Sequence, residues 1–204
     1  MRFRQPNRKP CRLTVVIKVF VVFATLALSI SAASASCWQG SAESGQLRFS
    51  GAVEDEKFNG KFGEFEVEVC RPDGTDWEAS EWTVSVATGS ADTRNRDRDE
   101  TLLGRFFFAV DDFPTARWRS DLITSDPLEE NTKLIAQGEL ELRGQRLPQA
   151  VTIELMESAD GLSVTGSAEI FRLEFGVGQG EYADPEFVRN RVDLAFEIEL
   201  QPNP

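Results

Sequence analysis

Beyond residue 35, apolar and polar side chains alternate with a period of two through most of this 204-residue chain, and no long amphipathic helix interrupts them. Leu47, Phe49, Gly51 and Val53 share one phase. Between Phe58 and Cys70 the register changes, with Phe62 in one phase and Phe65, Val67 and Val69 in the other; a bulge or bend at Gly63 places them on one side. Trp82, Val84 and Val86 alternate next. Leu134, Ala136, Gly138, Leu140 and Leu142 form a long strand, residues 144–148 supply a turn, and Val151, Ile153 and Leu155 answer as its hairpin partner. Asp160-Gly161 marks a second tight turn. Val164, Gly166, Ala168 and Ile170 continue the pattern, and Val192, Leu194, Phe196, Ile198 and Leu200 close it. The count is about eight strands. The charged run over residues 92–100 reads as a solvated loop, and residues 113–128 as an irregular segment with room for one helical turn.

Many short antiparallel strands without a helical layer form either a sandwich or a closed barrel, and closure removes edges that invite aggregation. Glycines 51, 60, 138, 166 and 176 suit the sharp coiling of a small barrel. Periodicity does not choose between the two. Nor does it choose between a packed core and a ligand wall for the fifteen phenylalanines and four tryptophans, which stand against a single tyrosine.

The first 35 residues have a different character. Arg2, Arg4, Arg8, Lys9, Arg12 and Lys18 precede or border the apolar run VFVVFATLALSI, and Ala33-Ser34-Ala35 offers a small-x-small cleavage site. This is the layout of a secretory signal peptide, with residues 36–204 as one mature domain in the periplasm or outside the cell. An uncleaved anchor over residues 13–35 is the rival and requires Lys18 to snorkel. The whole chain carries a formal charge of −12, and the leader holds only basic residues, so the mature part is more acidic still. Such acidity argues against nucleic acid and anionic membrane surfaces as partners. The chain has no histidine, which excludes Ser-His-Asp and Cys-His nucleophile systems and histidine-ligated zinc or haem. No metal-binding loop is apparent and no cofactor is expected. Cys37 and Cys70, in an exported domain, are expected to form a disulfide.

The segment RDRDETLLGRFFFAVDDFPTARWRS, residues 96–120, with SADT at residues 90–93, resembles the conserved block of the YceI-like family of periplasmic, lipocalin-like barrels that bind polyisoprenoids and other long-chain lipids. LIAQGELELRGQRLPQAVTIEL, residues 134–155, is similar to that family's strand, glycine turn and strand, and IFRLEFGVG, residues 170–178, to its Arg-x-acid-Phe-Gly motif. The likeness extends from about Leu47 to Leu200. This chain departs from the family at Phe106-Phe107-Phe108-Ala109, Thr101 and Glu174, where the family usually has Asp-Phe-Phe-Asp, His and Asp.

The resemblance implies an all-β, single antiparallel barrel of about eight strands whose bore takes a polyisoprenoid, an isoprenoid quinone or a fatty-acid derivative, without catalysis. The expected wall and mouth are Phe65, Trp82, Phe106, Phe108, Phe113, Trp118, Phe171 and Phe175, with Arg172 either at a ligand head group or ion-paired to Glu174 or Asp99. Three consecutive phenylalanines cannot all face inward from a regular strand, so burying Phe107 takes either a bulge or cover from the segment between Phe113 and Trp118, acting as a lid or as a plug. The alternative is a filled-core envelope module that partners a membrane b-type cytochrome; on either reading the protein is expected as a monomer or homodimer.

Overall fold

The computed structural model describes residues 35–125, 133–158 and 161–203, so the leader lies outside the described residues. Eleven strands run in chain order: β1 (Ala35–Ser41), β2 (Gly45–Val53), β3 (Glu56–Phe62), β4 (Phe65–Pro72), β5 (Glu81–Ala87), β6 (Ala91–Asp92), β7 (Thr115–Ser125), β8 (Lys133–Leu142), β9 (Gln145–Ser158), β10 (Gly161–Phe171) and β11 (Arg191–Asn203). Every pairing is antiparallel, and β11 closes the sheet by pairing with β2 over Asp193–Ile198 and with β1 over Gln201–Asn203. That double pairing shows β1 and β2 to be one long stave, broken at residues 42–44. In the same way β3 and β4 make a second stave and β5 and β6 a third, since β4 pairs with β1 and β5 while β3 pairs with β2 and β6. The expected eight strands are therefore the eight staves of a closed barrel. Gly63 is the bend between β3 and β4, and its N–H donates to the Ser90 carbonyl at 3.0 Å.

Coiling on this scale needs residues without a side chain where neighbouring strands press together. At Gly166 an added Cβ would stand 2.2 Å from both the Phe196 ring and the Thr152 carbonyl, and at Gly138 2.2 Å from the Arg119 carbonyl and 2.8 Å from the Trp118 ring. Aromatic rings occupy the space the glycines leave. The β8–β9 hairpin turns through Arg143 and Gly144 alone, both at positive φ (50° and 72°), the twist a two-residue hairpin favours. Residues 159–160 of the second expected turn lie outside the described residues, although Ser158 and Gly161 pair across it.

Three local expectations are corrected. Residues 115–125 form the strand β7: Ala116 and Trp118 face inward, and a register shift between Ser120 and Leu122 returns Ile123 to the interior, which hides the period. The charged run holds an eight-residue helix, α1 (Arg96–Leu103), capped by the Asn95 side chain accepting from the Arg98 N–H and braced by an Arg96–Glu100 pair at 2.8 Å. Phe106, Phe107 and Phe108 lie in successive turns after α1 and belong to no strand, so the geometric conflict of three adjacent inward rings does not arise.

Both ends of the barrel are covered. At the end holding the chain termini of the domain, Trp38 packs 5.5 Å from Trp77, and the Arg71 guanidinium lies 4.1 Å from the Trp77 ring and 2.8 Å from Glu157. The predicted disulfide is formed there, joining the directly opposed Cys37 and Cys70 of β1 and β4. At the other end, α1, the phenylalanine turns and residues 172–190 form a cap. Buried Arg172 ties it: Nε donates to the Arg189 carbonyl, Nη1 to Val177 and Gly178, and Nη2 to Tyr182 and Val188, at distances from 2.5 to 3.0 Å. All five guanidinium hydrogens are thereby used on backbone. The expected ion pair with Glu174 or Asp99 is absent among the described residues; Asp99 instead accepts from Thr93. Burial lowers the pKa of Arg172, because the charged form has lost water.

Arg172→Lys leaves three donors for five carbonyls and is expected to lower unfolding free energy in urea by about 3 kcal/mol, with faster amide exchange at Val177 and Gly178. Replacing Cys37 and Cys70 by Ser removes a cross-link over a sequence separation of 33 and is expected to cost about 3 to 4 kcal/mol in the same assay.

Candidate functional site

Each stave presents its inward phase to a single interior, and the interior is not filled. Two cavities, of about 110 and 140 Å³, succeed one another along the barrel. They share Leu47, Val86, Ala116, Leu140, Ile170 and Leu194, the waist at which the two chambers adjoin. Val84, Val86, Val151, Val192, Leu194 and Phe196 face inward yet remain only partly buried, as residues bordering open space must. A packed core would have buried them.

The chamber nearer the disulfide is walled by Phe65, Trp82, Trp118, Ile153, Phe196 and Leu200 among others; the chamber under the cap by Phe49, Phe58, Phe62, Leu102, Phe107 and Phe108. The side-chain hydrogens of Trp82, Trp118 and Thr88 beside the bore are already committed. Trp82 Nε1 donates to Ser80 Oγ at 2.8 Å, Trp118 Nε1 to the Gln149 carbonyl at 3.1 Å, and Thr88 Oγ1 to the Phe113 carbonyl at 2.8 Å. Arg172 reaches the upper chamber with every donor spent in the cap. No Asp, Glu or Cys is among the described residues that line either chamber. What remains is a hydrocarbon surface whose chemistry is burial.

Of the residues expected at the wall and mouth, Phe65, Trp82, Phe108 and Trp118 line the bore, and Arg172 borders it. The other four do not. Phe171 points outward and is 43% exposed, because Ile170 and Ala168 hold the inward phase of β10. Phe106 leaves the bore for the outside of the cap, with Tyr182 at 6.3 Å and the Arg105 guanidinium at 4.6 Å from its ring. Phe113 lies against Gly144 of the β8–β9 turn, covering the barrel end. Phe175 is fully buried but lines neither chamber. Phe107, for which the sequence reading sought separate cover, is itself a wall residue, since the turns after α1 direct it and Phe108 to the same chamber. The alternating residues of β2, β3 and β11, Phe49, Phe58, Phe62 and Phe196 among them, were overlooked as wall although their phase identified them.

Among curated proteins none matches the sequence significantly. Solved structures with the same fold include Burkholderia cenocepacia BcnA, at 19% identity and a TM-score of 0.70, over 76% of this chain and 95% of that one. A Campylobacter jejuni YceI protein matches at 18% identity and 0.65, over 75% and 90%. A polyisoprenoid-binding domain from Saccharophagus degradans, described as implicated in plant cell wall breakdown, matches at 10% identity and 0.63, over 83% and 100%. At these identities the likeness is one of fold. The family model for the YceI-like domain matches residues 38–200, from the first stave to the end of the last, and the chain belongs to that family.

Proposed function

We propose that this protein is an exported, non-enzymatic carrier or store for a long-chain apolar molecule, a polyisoprenoid, an isoprenoid quinone or a fatty-acid derivative, held in the two-chambered bore. The observation that carries this reading is the bore itself: its two adjoining chambers are apolar, and the side-chain hydrogens of Trp82, Trp118 and Thr88 beside them are bonded within the protein. A flexible hydrocarbon tail gains about 0.8 kcal/mol for each CH₂ it withdraws from water, so such a channel binds it without directed contacts. The lack of carboxylates and thiols along the described wall supports binding over catalysis. The disulfide on the outside of the barrel supports an oxidising compartment, the periplasm or the exterior. Membership of the YceI-like family and the polyisoprenoid-binding description of the Saccharophagus neighbour support the ligand class.

Protein expressed with its leader in an exporting Gram-negative host and extracted with organic solvent is expected to release a stoichiometric isoprenoid or acyl species, identified by mass spectrometry. An empty extract, repeated after incubation with quinones and polyprenols, would overturn the proposal. Ala116 sits at the waist common to both chambers. Ala116→Leu is expected to reduce bound lipid several-fold while changing stability by less than about 1.5 kcal/mol, since it fills space that the wild-type fold leaves open.

A further inference from the structure

Between β9 and β10 the ladder stops short. β9 and β10 pair from Ser158–Gly161 up to Thr152–Ser167 and no further, although β9 continues back to Gln145 and β10 on to Phe171. On their other sides both strands stay paired throughout this stretch: β9 with β8 down to Gln145, and β10 with β11 up to Phe171. The unpaired stretches thus face each other as two lips of a seam. Pro148 lies on the β9 lip and has no N–H to offer, a residue that sheets admit at edges.

The seam opens on the bore. Gln149 and Val151 from one lip and Ala168 and Ile170 from the other all line the lower chamber. Gln149 is a polar residue in the inward phase of β9, between Leu147 and Val151. Its Nε2 donates across the seam to the Glu169 carbonyl at 3.0 Å and to the neighbouring Ala150 carbonyl at 2.9 Å. A side-chain hydrogen bond thus stands where backbone bonds hold the remainder of the β9–β10 pair. Outside, Glu169 is paired with Arg191 at 2.6 Å and the exposed ring of Phe171 lies on the β10 lip. Both barrel ends, by contrast, are closed by several independent ties: the Trp38–Trp77–Arg71 stack with its Glu157 partner at one, and the five-carbonyl Arg172 node at the other.

We propose that the β9–β10 seam is the lateral portal through which an apolar chain enters and leaves the bore, with Gln149 as its latch and Phe171 as an exposed apolar lip. The proposal rests on the reading that the bore holds such a chain. Parting the lips breaks one neutral hydrogen bond, whereas opening either end breaks a charged cluster or a whole cap. A seam also admits a long flexible molecule sideways, along its length.

The test is exchange kinetics with a tritiated long-chain polyprenol offered in detergent micelles. In the full protein, Ala150→Cys and Glu169→Cys, which face each other if the β9–β10 register is continued, are joined by a short thiol-bridging reagent; the same variant capped with N-ethylmaleimide is the control. Bridging is expected to slow uptake and release by about tenfold or more, ~1.4 kcal/mol on the barrier, while polyprenol loaded before bridging stays bound. Gln149→Ala, which needs no cross-link, is expected to speed exchange several-fold with its urea midpoint little changed. Wild-type rates in the bridged protein, or an unchanged rate in Gln149→Ala, would overturn the portal while leaving the binding reading intact. A wild-type protein that takes up no polyprenol would overturn the binding reading and the portal with it.

Discussion

The pairing of β11 with three neighbours is the constraint on which the rest depends. It runs beside β10 along its length, meets β2 with its first half and β1 with its last residues. Those contacts turn a meander into a ring. β11 can do this because its alternation is unbroken: Val192, Leu194, Phe196, Ile198 and Leu200 face in, while Asp193, Glu197 and Glu199 face water. Once the ring is closed, its small radius forces neighbouring inner side chains together. Glycine opposite an aromatic ring is the answer at Gly60 under Phe49, Gly138 under Trp118 and Gly166 under Phe196. The bore is what those pairs leave over.

The two ends use arginine in opposite ways. Arg71 keeps partial access to solvent and is held between aromatic faces and one carboxylate, an arrangement that tolerates water. Arg172 is 4% exposed and answers burial with carbonyls alone. A buried guanidinium is unfavourable unless its donors are met, so the five carbonyls and the cation hold one another in place. Residues 177, 178, 182, 188 and 189 come from separate turns of the cap, and the Gly178 and Gln179 N–H groups continue the connection to the Phe106 carbonyl. The cap therefore behaves as one piece.

Much of this was legible in the residues, and the parts that were not share a cause. β8, β10 and β11 could be read because their inward positions alternate without a slip and turn residues bound them. β7 could not, because the register shift after Ser120 moves Leu122 out and Ile123 in. α1 buries only Leu102, too little for a helical period to show, and its evidence is the Asn95 cap. Three staves are broken midway, so eleven hydrogen-bonded segments answer to eight alternating runs. At the site, phase was the better guide. Ile170 shares the phase of Val164 and Ala168, which turns Phe171 outward, yet the family motif drew Phe171 into the expected wall. The partners of Arg172 are backbone carbonyls, which no side-chain pattern announces. Gln149 was overlooked although it carries a signal: a polar residue in the inward phase, directly after a proline inside a strand.

A bore of this chemistry discriminates by shape and length more than by functional group. Trp82, Trp118 and Thr88 have given their hydrogens to the protein, and Arg172 has given all five, so a ligand's polar atoms find little directed hydrogen bonding from these side chains. For the proposed hydrocarbon ligand, affinity would rise with each methylene that fits, at about 0.8 kcal/mol, until the two chambers are occupied, and further length would add nothing because it stays in water. The waist sharpens this. Leu47, Val86, Ala116, Leu140, Ile170 and Leu194 line both chambers, so under the proposed function a slender chain would occupy both whereas a bulky ring system would be confined to one. The departures from the family pattern point the same way: Phe106 stands where the family carries an acid and its ring packs on Tyr182 outside the bore, so the substitution alters the surface of the cap and leaves the hydrocarbon wall as it is.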